Sequence, residues 1–401
     1  MTAALFDPFV AGFAEDPYPH YARLRETAPA HRHDLGFWIV TDHRTVSELQ
    51  RSGHSVDEQY LVHKPVWKDD PRAPGRQNRP MHGLSMLDQD PPDHTRLRRL
   101  VHSAFTRASV DAWEPRITEL VDAALDRIAA AGRADVVAEL AFPLPFTVIS
   151  EMLGVPVADH DRVRALTGSL VRALEPLTGP DLQGEIRDAN LELTGMLREL
   201  AVWKRAHPAD DLFSALIAAE HDGEVLDEDE LVAQVMLLYV AGHETTVNLI
   251  GNGILALLRR PDQARLLRED PTLAAGAVEE ILRFDTPVQL MRRITTGPVA
   301  VHDVEIPAGS FVLAGLAAAN RDPQFWGPDA DELRLTRPDA HRHVSFGAGL
   351  HHCLGASLVR LEARVALSRF VCAFPDAVLE DVTWNGRINV RGPAAMTVAV
   401  R

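Results

Sequence analysis

The chain has 401 residues, of which 46% are hydrophobic and 24% are charged. These proportions are ordinary for globular proteins and exclude global disorder. The 41 Lys and Arg residues against 57 Asp and Glu residues leave a formal net charge of -16, which argues against nucleic acid or an anionic membrane surface as a partner of the whole chain.

Residues 1–25 lack the basic start, apolar core and cleavage site of a secretory signal. The longest apolar run, 231–242, is interrupted by Gln234 and is well short of the roughly 18 clean apolar residues that a membrane span needs. We therefore expect a cytoplasmic protein without a membrane anchor. The two cysteines, Cys353 and Cys372, do not suggest a disulfide framework.

Helical periodicity dominates the chain, and no repeat or linker divides it, so we expect one domain over residues 1–401. Short strands are predicted at 36–40, 299–304 and 311–314. The predicted fold class is therefore mainly α with small β-sheets. The predicted helices are, in chain order, 113–131, 184–204, 228–259, 272–284 and 354–370.

The predicted helix at 228–259 is the most informative element. Asp227 can cap it, Glu230 stands three residues later as in a capping box, and Pro261 follows its end. At about 1.5 Å per residue it would be roughly 45 Å long and would cross the domain. Its centre carries Glu244 on an apolar face, and a buried carboxylate is costly unless it is paired or functional.

A glycine-rich loop delivers Cys353 to the start of an apolar helix in the segment FGAGLHHCLG at 346–355. A lone cysteine is usually a small buried hydrophobe, and Cys372 fits that description. Around Cys353, however, Gly347 and Gly349 permit tight turns and Gly355 permits the close approach of a flat ligand. A helix N-terminus also favours the thiolate form, so the loop is suited to hold an anionic sulfur on a metal.

This loop resembles the haem-binding loop of the cytochrome P450 family, with the pattern Phe-Gly-x-Gly-x-His-x-Cys-x-Gly matched at every fixed position. The resemblance implies a cytochrome P450 fold in a single large domain. It also implies haem b as the cofactor and Cys353 as the ligand of the haem iron. Phe346, Gly347 and Ala241 would contact the haem, and His351 would donate to a propionate.

Glu280 and Arg283 are neighbours on the predicted helix at 272–284, at a spacing of i, i+3. The resemblance implies that this pair and Arg337 form the network that locks the segment beneath the haem in the family. Glu279 could also reach Arg283 at a spacing of i, i+4, so the choice of Glu280 rests on the resemblance.

A further helix should begin after the two consecutive prolines at 91–92, with His94 and Arg98 on one of its faces. Taken alone, this face would be a solvated basic helix end. The resemblance implies instead that His94, Arg98 and Arg293 hold the haem propionates together with His351. Such a role would explain a basic cluster in an acidic protein. The residue beside Arg293, Arg292, is the less favoured alternative.

Glu244 and Thr245 in the long helix resemble the acid–alcohol pair that activates oxygen in the family. A metalloprotease helix would need a second histidine where this chain has Val247, so a zinc site at His243 is excluded. The resemblance implies that Glu244 and Thr245 are catalytic and guide protons, whereas His243 packs locally. The implied reaction inserts one oxygen atom of O2 into a hydrophobic or aromatic small molecule, by hydroxylation or epoxidation.

The substrate pocket is expected to be mostly apolar. The resemblance favours a role in natural-product biosynthesis, including antibiotic biosynthesis, over catabolism. By family position, the residues that line the pocket are Leu238, Ala241, Val288, Leu290, Met291, Ile388 and Asn389.

The chain contains no attached flavin or iron–sulfur segment, so the resemblance implies electron supply by a separate ferredoxin and ferredoxin reductase. Basic residues near the cysteine could form the docking face, with solvated arginines as the alternative. The candidates are Arg99, Arg107, Arg360 and Arg364.

A basic segment lies between the first predicted strand and the His94 helix, opposed only by Asp69 and Asp70. It suggests a loop that meets an anionic substrate, or an acidic carrier protein bearing one, with a solvated loop as the alternative. Its basic residues are Lys64, Lys68, Arg72, Arg76 and Arg79.

Two other functions are weighed against a monooxygenase: a haem-binding recruitment protein without turnover, and a peroxide-driven oxygenase. Relatives that have lost turnover often carry broken cysteine or oxygen-activation motifs, and both motifs are intact here. The presence of both Glu244 and Thr245 also weakens the peroxide-driven alternative.

Overall fold

The computed structural model describes residues 5–63, 83–102, 105–175, 180–221 and 223–400. The basic residues at 64, 68, 72, 76 and 79 lie outside these ranges. The hypothesis that they meet an anionic substrate or a carrier protein therefore rests on the sequence.

Helices make up most of the described residues, as predicted. In chain order the α-helices are α1 (Tyr18–Thr27), α2 (His43–Arg51), α3 (Asp93–His102), α4 (Arg107–Asp111), α5 (Glu114–Ala131), α6 (Pro143–Leu153), α7 (His160–Leu170), α8 (Pro180–Ala206), α9 (Leu212–Ala218), α10 (Glu228–Arg259), α11 (Pro261–Glu269), α12 (Ala274–Phe284), α13 (Leu316–Ala319), α14 (Pro323–Trp326) and α15 (Ala356–Ala373). The five helices predicted by periodicity are α5, α8, α10, α12 and α15. The predicted His94 helix is α3.

The strands are short and form small sheets. They are β1 (Ala30–Arg32), β2 (Trp38–Val40), β3 (Arg133–Asp135), β4 (Glu220–His221), β5 (Glu224–Val225), β6 (Leu290–Ile294), β7 (Val299–Val301), β8 (Val304–Ile306), β9 (Phe311–Gly315), β10 (Val378–Trp384) and β11 (Pro393–Ala399). The sheet orders are β1-β2-β9-β6, β10-β11-β3, β4-β5 and β7-β8. Strands β2 and β9 run parallel, with Trp38 opposite Val312, and the other pairs among these strands are antiparallel.

The prediction of a single strand at 299–304 was wrong. Val301 pairs with Val304, so the chain reverses between them and forms the hairpin of β7 and β8. His302 in this turn has a φ of 51°, a left-handed conformation that ends an extended strand. The apolar residues alternate on both sides of the tight turn, which imitates the pattern of one longer strand.

Helix α10 forms the centre of the molecule. Asp227 accepts a hydrogen bond from the amide of Glu230, whose side chain accepts one in return, so the predicted capping box is present. Helices α6, α8, α12 and α15 pack around α10. From 231 to 257 every residue of α10 is buried except Ala241, Gly242 and Thr245, which are partly exposed. No helix in the described ranges combines the length and apolar character needed to cross a lipid bilayer.

Candidate active site

The cysteine loop folds back on itself before helix α15 begins. The amide of Cys353 donates a hydrogen bond of 2.8 Å to the carbonyl oxygen of Phe346. Gly347 and Gly349 have φ angles of 69° and 70°, a region that residues with a Cβ rarely adopt. A Cβ at Gly349 would also lie 2.7 Å from the backbone oxygen of Gln50 in α2. The loop therefore requires glycine at this position for two separate reasons.

The Cys353 thiol experiences opposing influences. Burial raises its pKa, whereas hydrogen bonds from the amides of Gly355 and Ala356 and the positive charges of Arg98 and Arg360 act to lower it. The amides at the start of α15 thus act in the expected direction, but burial outweighs them and leaves the pKa of Cys353 raised in the protein alone. A metal cation deprotonates a coordinating thiol outright, so metal binding would supply the missing stabilisation.

The residues beside Cys353 are compatible with a flat ligand. Ala241 and Cys353 are both partly buried and pack against the same hydrophobic core. A Cβ at Gly355 would meet no other atom within 4 Å, so the backbone there permits a close approach. Thr245 is partly exposed on the same helix as Ala241, and its hydroxyl donates a hydrogen bond of 2.9 Å to the Ala241 carbonyl.

The four predicted propionate-binding residues come from α3, β6 and the cysteine loop. The rings of His94 and His351 lie 4.3 Å apart between centroids. His94 is 1% exposed, yet neither of its ring nitrogens has a hydrogen-bond partner among the described residues, and the same holds for Nη2 of Arg293. Arg98 donates a hydrogen bond of 2.6 Å to the backbone oxygen of His352, next to the cysteine.

The pKa values in this cluster show that positive charge is disfavoured there. Burial and then the neighbouring Arg292 lower the pKa of Arg293 to about 10. Burial, followed by Arg293, His94 and Arg98, lowers the pKa of His351 to about 3. Carboxylates placed among these groups would compensate the charge and accept from the unpartnered donors. The cluster therefore fits the two propionates of a haem.

The predicted network around Glu280 is fully assembled in the structure. Glu280 and Arg283 are completely buried and make two hydrogen bonds of 2.7 and 2.8 Å. Nε of Arg337 lies 3.2 Å from Glu280. Arg283 also donates to the backbone oxygens of Asn320 and Ala330, at 2.9 and 2.7 Å. The network thus ties α12 to the segments that follow α13 and α14.

Glu279 has different partners from Glu280. It accepts a hydrogen bond of 2.6 Å from Nε of Arg360 in α15 and lies 3.2 Å from Nε2 of His343. Burial acts to raise its pKa, but the hydrogen bonds from His343 and Arg360 lower it to about 2. The alternative pairing of Glu279 with Arg283 is therefore not formed.

The four arginines predicted for docking differ in their ion pairs and in their exposure. Arg360 is held by Glu279, Arg364 lies 2.9 Å from a carboxylate oxygen of Glu114, and Arg107 lies 3.7 Å from its neighbour on α4, Asp111. Arg99 is exposed on α3, where its Nε lies 3.4 Å from the Thr95 carbonyl.

Glu244 forms an ion pair that the sequence analysis missed. Its Oε2 accepts a hydrogen bond of 2.9 Å from Nη1 of Arg387. Arg387 is 143 residues away in the sequence, in the loop between β10 and β11. The one signal that could have identified it is its position next to the predicted pocket residues Ile388 and Asn389.

The predicted pocket residues come from three parts of the chain. The residues just before strand β6 meet the C-terminal loop through the bridge between Val288 and Val390 and through the amide of Gln289, which donates to the Asn389 carbonyl at 2.9 Å. Both polar atoms of the Asn389 side chain have a partner, since Oδ1 accepts from the Leu290 amide and Nδ2 donates to the Leu174 carbonyl. It therefore fixes the loop rather than offering a free polar group.

The remaining pocket residues belong to, or pack against, three hydrophobic clusters. Leu238 and Ala241 of α10 belong to the main core, Leu290 and Ile388 to a cluster with the N-terminal aromatic residues, and Met291 to a third. Met291 also approaches the cysteine loop, because a Cβ at Gly347 would lie 3.1 Å from its Cε.

The comparisons with known proteins agree with this geometry. The family model described as Cytochrome P450 matches residues 197–383. The chain is 40% identical to the cytochrome P450 monooxygenase PikC of Streptomyces venezuelae, over 97% of this chain and 92% of that protein.

Two solved structures resemble the whole chain. The first is P450BioI in complex with an acyl carrier protein ligated to hexadec-9Z-enoic acid, with a TM-score of 0.89, 31% identity and coverage of 98% of this chain and 99% of that one. The second is PksS, the cytochrome P450 of the bacillaene polyketide synthase of Bacillus subtilis 168, with a TM-score of 0.88, 32% identity and coverage of 98% and 99%.

Proposed function

The chain belongs to the cytochrome P450 family and is a monooxygenase with a haem-thiolate cofactor, and from this premise we propose that Cys353 ligates the iron of haem b. The observation that carries this assignment is the buried basic cluster beside the cysteine loop, where His94 and Arg293 keep unpartnered nitrogens. A haem placed with its iron at Cys353 would bring its carboxylates to these donors.

The proposed haem site uses residues from four segments. His94, Arg98, Arg293 and His351 would hold the propionates, because nitrogens of His94 and Arg293 have no hydrogen-bond partner among the described residues. Ala241 and the loop residues Phe346 and Gly347 would contact the ring. The network of Glu280, Arg283 and Arg337 would keep the segment beneath it in place through buried hydrogen bonds.

When bound, the thiolate-ligated haem supplies the redox chemistry that amino acids cannot provide. We assign the supply of protons to two residues of α10. The Thr245 hydroxyl hydrogen-bonds the Ala241 carbonyl and can present its proton to another acceptor by rotating about one bond. Glu244, which is 9% exposed, can pass a proton inward and take up another. Such positioned groups contribute typically about 10²- to 10⁴-fold to a reaction rate.

The substrate is proposed to be a hydrophobic or aromatic intermediate of natural-product biosynthesis, such as an antibiotic pathway. The lining residues are mostly apolar, and Asn389 has no free polar group. PksS is named for a polyketide synthase and P450BioI was solved with an acyl carrier protein, which supports a biosynthetic substrate. An anionic substrate, or one attached to a carrier protein, is the second possibility that these names support.

We further propose that residues 1–401 form one cytochrome P450 domain in the cytoplasm. One hydrophobic core extends from Met86 to Val398, which supports a single folding unit. Electrons would come from a ferredoxin and its reductase. Of the basic residues near the cysteine, Arg99 and Arg107 are exposed candidates for contact with such a partner, whereas Arg360 and Arg364 are partly buried and lie in ion pairs.

The ligand assignment is tested by replacing Cys353 with Ala. The variant is expected to lose the red-shifted Soret band that thiolate-ligated haem shows when reduced and bound to carbon monoxide. The expectation that Cys372 is buried was wrong, because it lies on the exposed face near the C-terminal end of α15. Cys372→Ala is therefore the matched control. Persistence of the thiolate-type band in Cys353→Ala would refute the assignment.

The substrate class is tested by screening candidate ligands for a shift of the Soret band from the low-spin to the high-spin position. Ligands that produce the shift are then assayed for NADPH consumption and product with added ferredoxin and reductase. Substrate-dependent NADPH consumption with oxygenated product is expected. Product formed only with added hydrogen peroxide would favour the peroxide-driven alternative, and ligand binding without turnover would favour a recruitment protein.

A further inference from the structure

The carboxylate of Glu244 has a different neighbour at each of its oxygens. Oε2 accepts a hydrogen bond of 2.9 Å from Arg387, whereas Oε1 lies 3.8 Å from Nε2 of His243. The side chains of Glu244 and Arg387 are 11% and 19% exposed. Because most of this ion pair is shielded from water, its charges interact more strongly than those of a surface pair.

His243 is oriented by its own helix and leaves one nitrogen facing Glu244. Its Nδ1 lies 2.8 Å from the backbone oxygen of Tyr239, and Nδ1 must carry the hydrogen because a carbonyl oxygen only accepts. Burial lowers the pKa of His243, so the ring is neutral and Nε2 is an acceptor. Nε2 has no hydrogen-bond partner among the described residues, and the rings of Phe142 and Phe146 pack edge-on against His243.

The two neighbours favour different protonation states of Glu244. Arg387 stabilises the carboxylate. The lone pair of His243 repels a carboxylate but accepts a hydrogen bond from a protonated carboxyl group. A further positive charge comes from Arg164 of α7, whose guanidinium lies 3.9 Å over the ring of Phe142 and disfavours protonation of His243. Burial and these positive charges therefore disfavour a proton on the His243 ring, which leaves Nε2 available as an acceptor.

Arg387 belongs to a loop that is firmly held. The next three backbone amides, those of Ile388, Asn389 and Val390, donate to the carboxylate of Glu175 at 2.8, 3.1 and 3.1 Å. Three amides on one carboxylate form strong, charge-assisted hydrogen bonds. Glu175 directly follows the short helix Val171–Leu174 at the end of α7. The position of Arg387 is thus set by the loop that also carries two predicted pocket residues.

We propose that Arg387 is a positioning residue that holds Glu244 in its ionised orientation, and that His243 receives the carboxyl group when Glu244 takes up a proton. This inference rests on the proposed role of Glu244 in proton supply.

The experiment compares Arg387→Gln, Arg387→Lys, Glu244→Gln and the Arg387→Gln/Glu244→Gln double variant in the haem-loaded enzyme. Product per NADPH is expected to fall about tenfold in Arg387→Gln. Loss of the arginine disturbs the orientation of Glu244 and so removes only part of the contribution of a positioned proton-transfer group. Loss of the cation favours protonation of its neighbour, so the midpoint of the pH profile of product formation should rise by about one unit. Arg387→Lys should recover most of both effects.

Two further measurements separate positioning from a structural role. The double variant should be no worse than Glu244→Gln if Arg387 acts through Glu244. A double-mutant cycle on the free energy of unfolding should show coupling between the two residues. Arg369→Gln, which removes an ion pair with Asp122 on α5, controls for the loss of an arginine and should leave the product yield and the pH midpoint unchanged.

The outcomes are distinguishable. If Glu244→Gln lowers the product yield while Arg387→Gln alters neither yield nor pH midpoint, the inference is overturned and the role of Glu244 stands. Additive losses in the double variant would mean that Arg387 acts by another route, which also overturns the inference. If Glu244→Gln itself has wild-type yield, the proposed role of Glu244 fails and the inference fails with it.

Discussion

Adjacent residues of the same type have different roles in this protein because their side chains meet different partners. Arg292 is held by carboxylates, at 2.6 Å from Asp88 and 3.4 Å from Glu58, whereas Nη2 of Arg293 has no partner in the described part of the chain. This difference supports the choice of Arg293 as the propionate residue. Thr245 and Thr246 differ in the same way, since only Thr245 is exposed at the centre of α10.

Thr245→Ala is predicted to leave folding and haem binding nearly normal and to damage coupling, which is the yield of product per NADPH consumed. The hydroxyl bonds only a carbonyl of its own helix, so its loss removes a proton donor but no tertiary contact. Product per NADPH should fall by at least about tenfold, since such groups contribute roughly 10²- to 10⁴-fold, and hydrogen peroxide should rise correspondingly. Both are measured per NADPH consumed, with saturating redox partners.

Thr246→Ala is the matched control for this prediction. Its hydroxyl makes the equivalent hydrogen bond to the Gly242 carbonyl, but its side chain is buried. It should retain wild-type coupling. Wild-type coupling in Thr245→Ala as well would contradict the role assigned to this hydroxyl, unless a substrate hydroxyl replaces it; a substrate analogue without hydroxyls distinguishes these two cases.

At the level of elements, helix α12 links several parts of the molecule, because its two adjacent acidic residues bind side chains in different segments. Glu280 binds Arg283 and Arg337, and through Arg283 it holds the backbone beyond α13 and α14. Glu279 binds Arg360 of α15 and His343 before the cysteine loop. Helix α12 thus connects the helix that follows Cys353 to the segment that leads into its loop.

Glu280→Gln is predicted to be strongly destabilising. It leaves the buried guanidinium of Arg283 without a counter-charge, and breaking a buried pair in this way costs about 3–5 kcal/mol. Chemical denaturation followed by far-UV circular dichroism measures the loss. Asp122→Asn, which removes the surface partner of Arg369, should cost at most about 1 kcal/mol. A loss of similar size in both variants would contradict the structural role of the network.

The ion pairs of Glu279 predict a defined pH dependence of stability. Its pKa is lowered to about 2 in the folded protein, so the folded state binds fewer protons than the unfolded state between that value and the ordinary one of about 4.3. The contribution of Glu279 to the free energy of unfolding is therefore complete at pH values above its ordinary pKa and is lost as the pH falls towards 2. Denaturation midpoints at a series of pH values should fall less steeply in Glu279→Gln than in the wild type. Identical slopes in the two proteins would refute this account.

At the scale of the whole molecule, a strongly acidic chain brings several basic side chains together at the proposed haem site. The formal net charge is -16, yet His94, Arg293 and His351 come together within the protein. Many surface arginines are neutralised by nearby carboxylates, including three of the four docking candidates. Among the docking candidates, Arg99 is exposed on α3, so reversal of its charge tests contact with an electron donor.

Arg99→Glu is predicted to raise the KM for ferredoxin several-fold while leaving substrate binding unchanged. Reversal of an exposed charge at an interface acts mainly on the association rate and on its salt dependence. Steady-state NADPH oxidation at varied ferredoxin concentration and ionic strength measures the effect. Arg187→Glu, on the exposed surface of α8, is the control. An equal rise in both variants would mean that net charge alone is responsible.

The sequence by itself determined the features that depend on local order. The cysteine loop, the capping box at Asp227 and the long helices were predicted because their signals lie within a few turns of the chain, where residue spacing decides which groups meet. The short helices between them and the turn at His302 were not predicted, because segments of so few residues show no clear hydrophobic period.

Only the tertiary structure decided the partners of groups that lie far apart in the chain. Arg387 and Glu244 are separated by 143 residues, and Glu175 holds a loop more than 200 residues away. Spacing cannot predict such pairs, because they depend on how α7, α10 and the C-terminal loop pack together. The same holds for Cys353, whose pKa is set by burial against the opposing effect of its helix. Burial is a property of the packed molecule, and no local pattern specifies it.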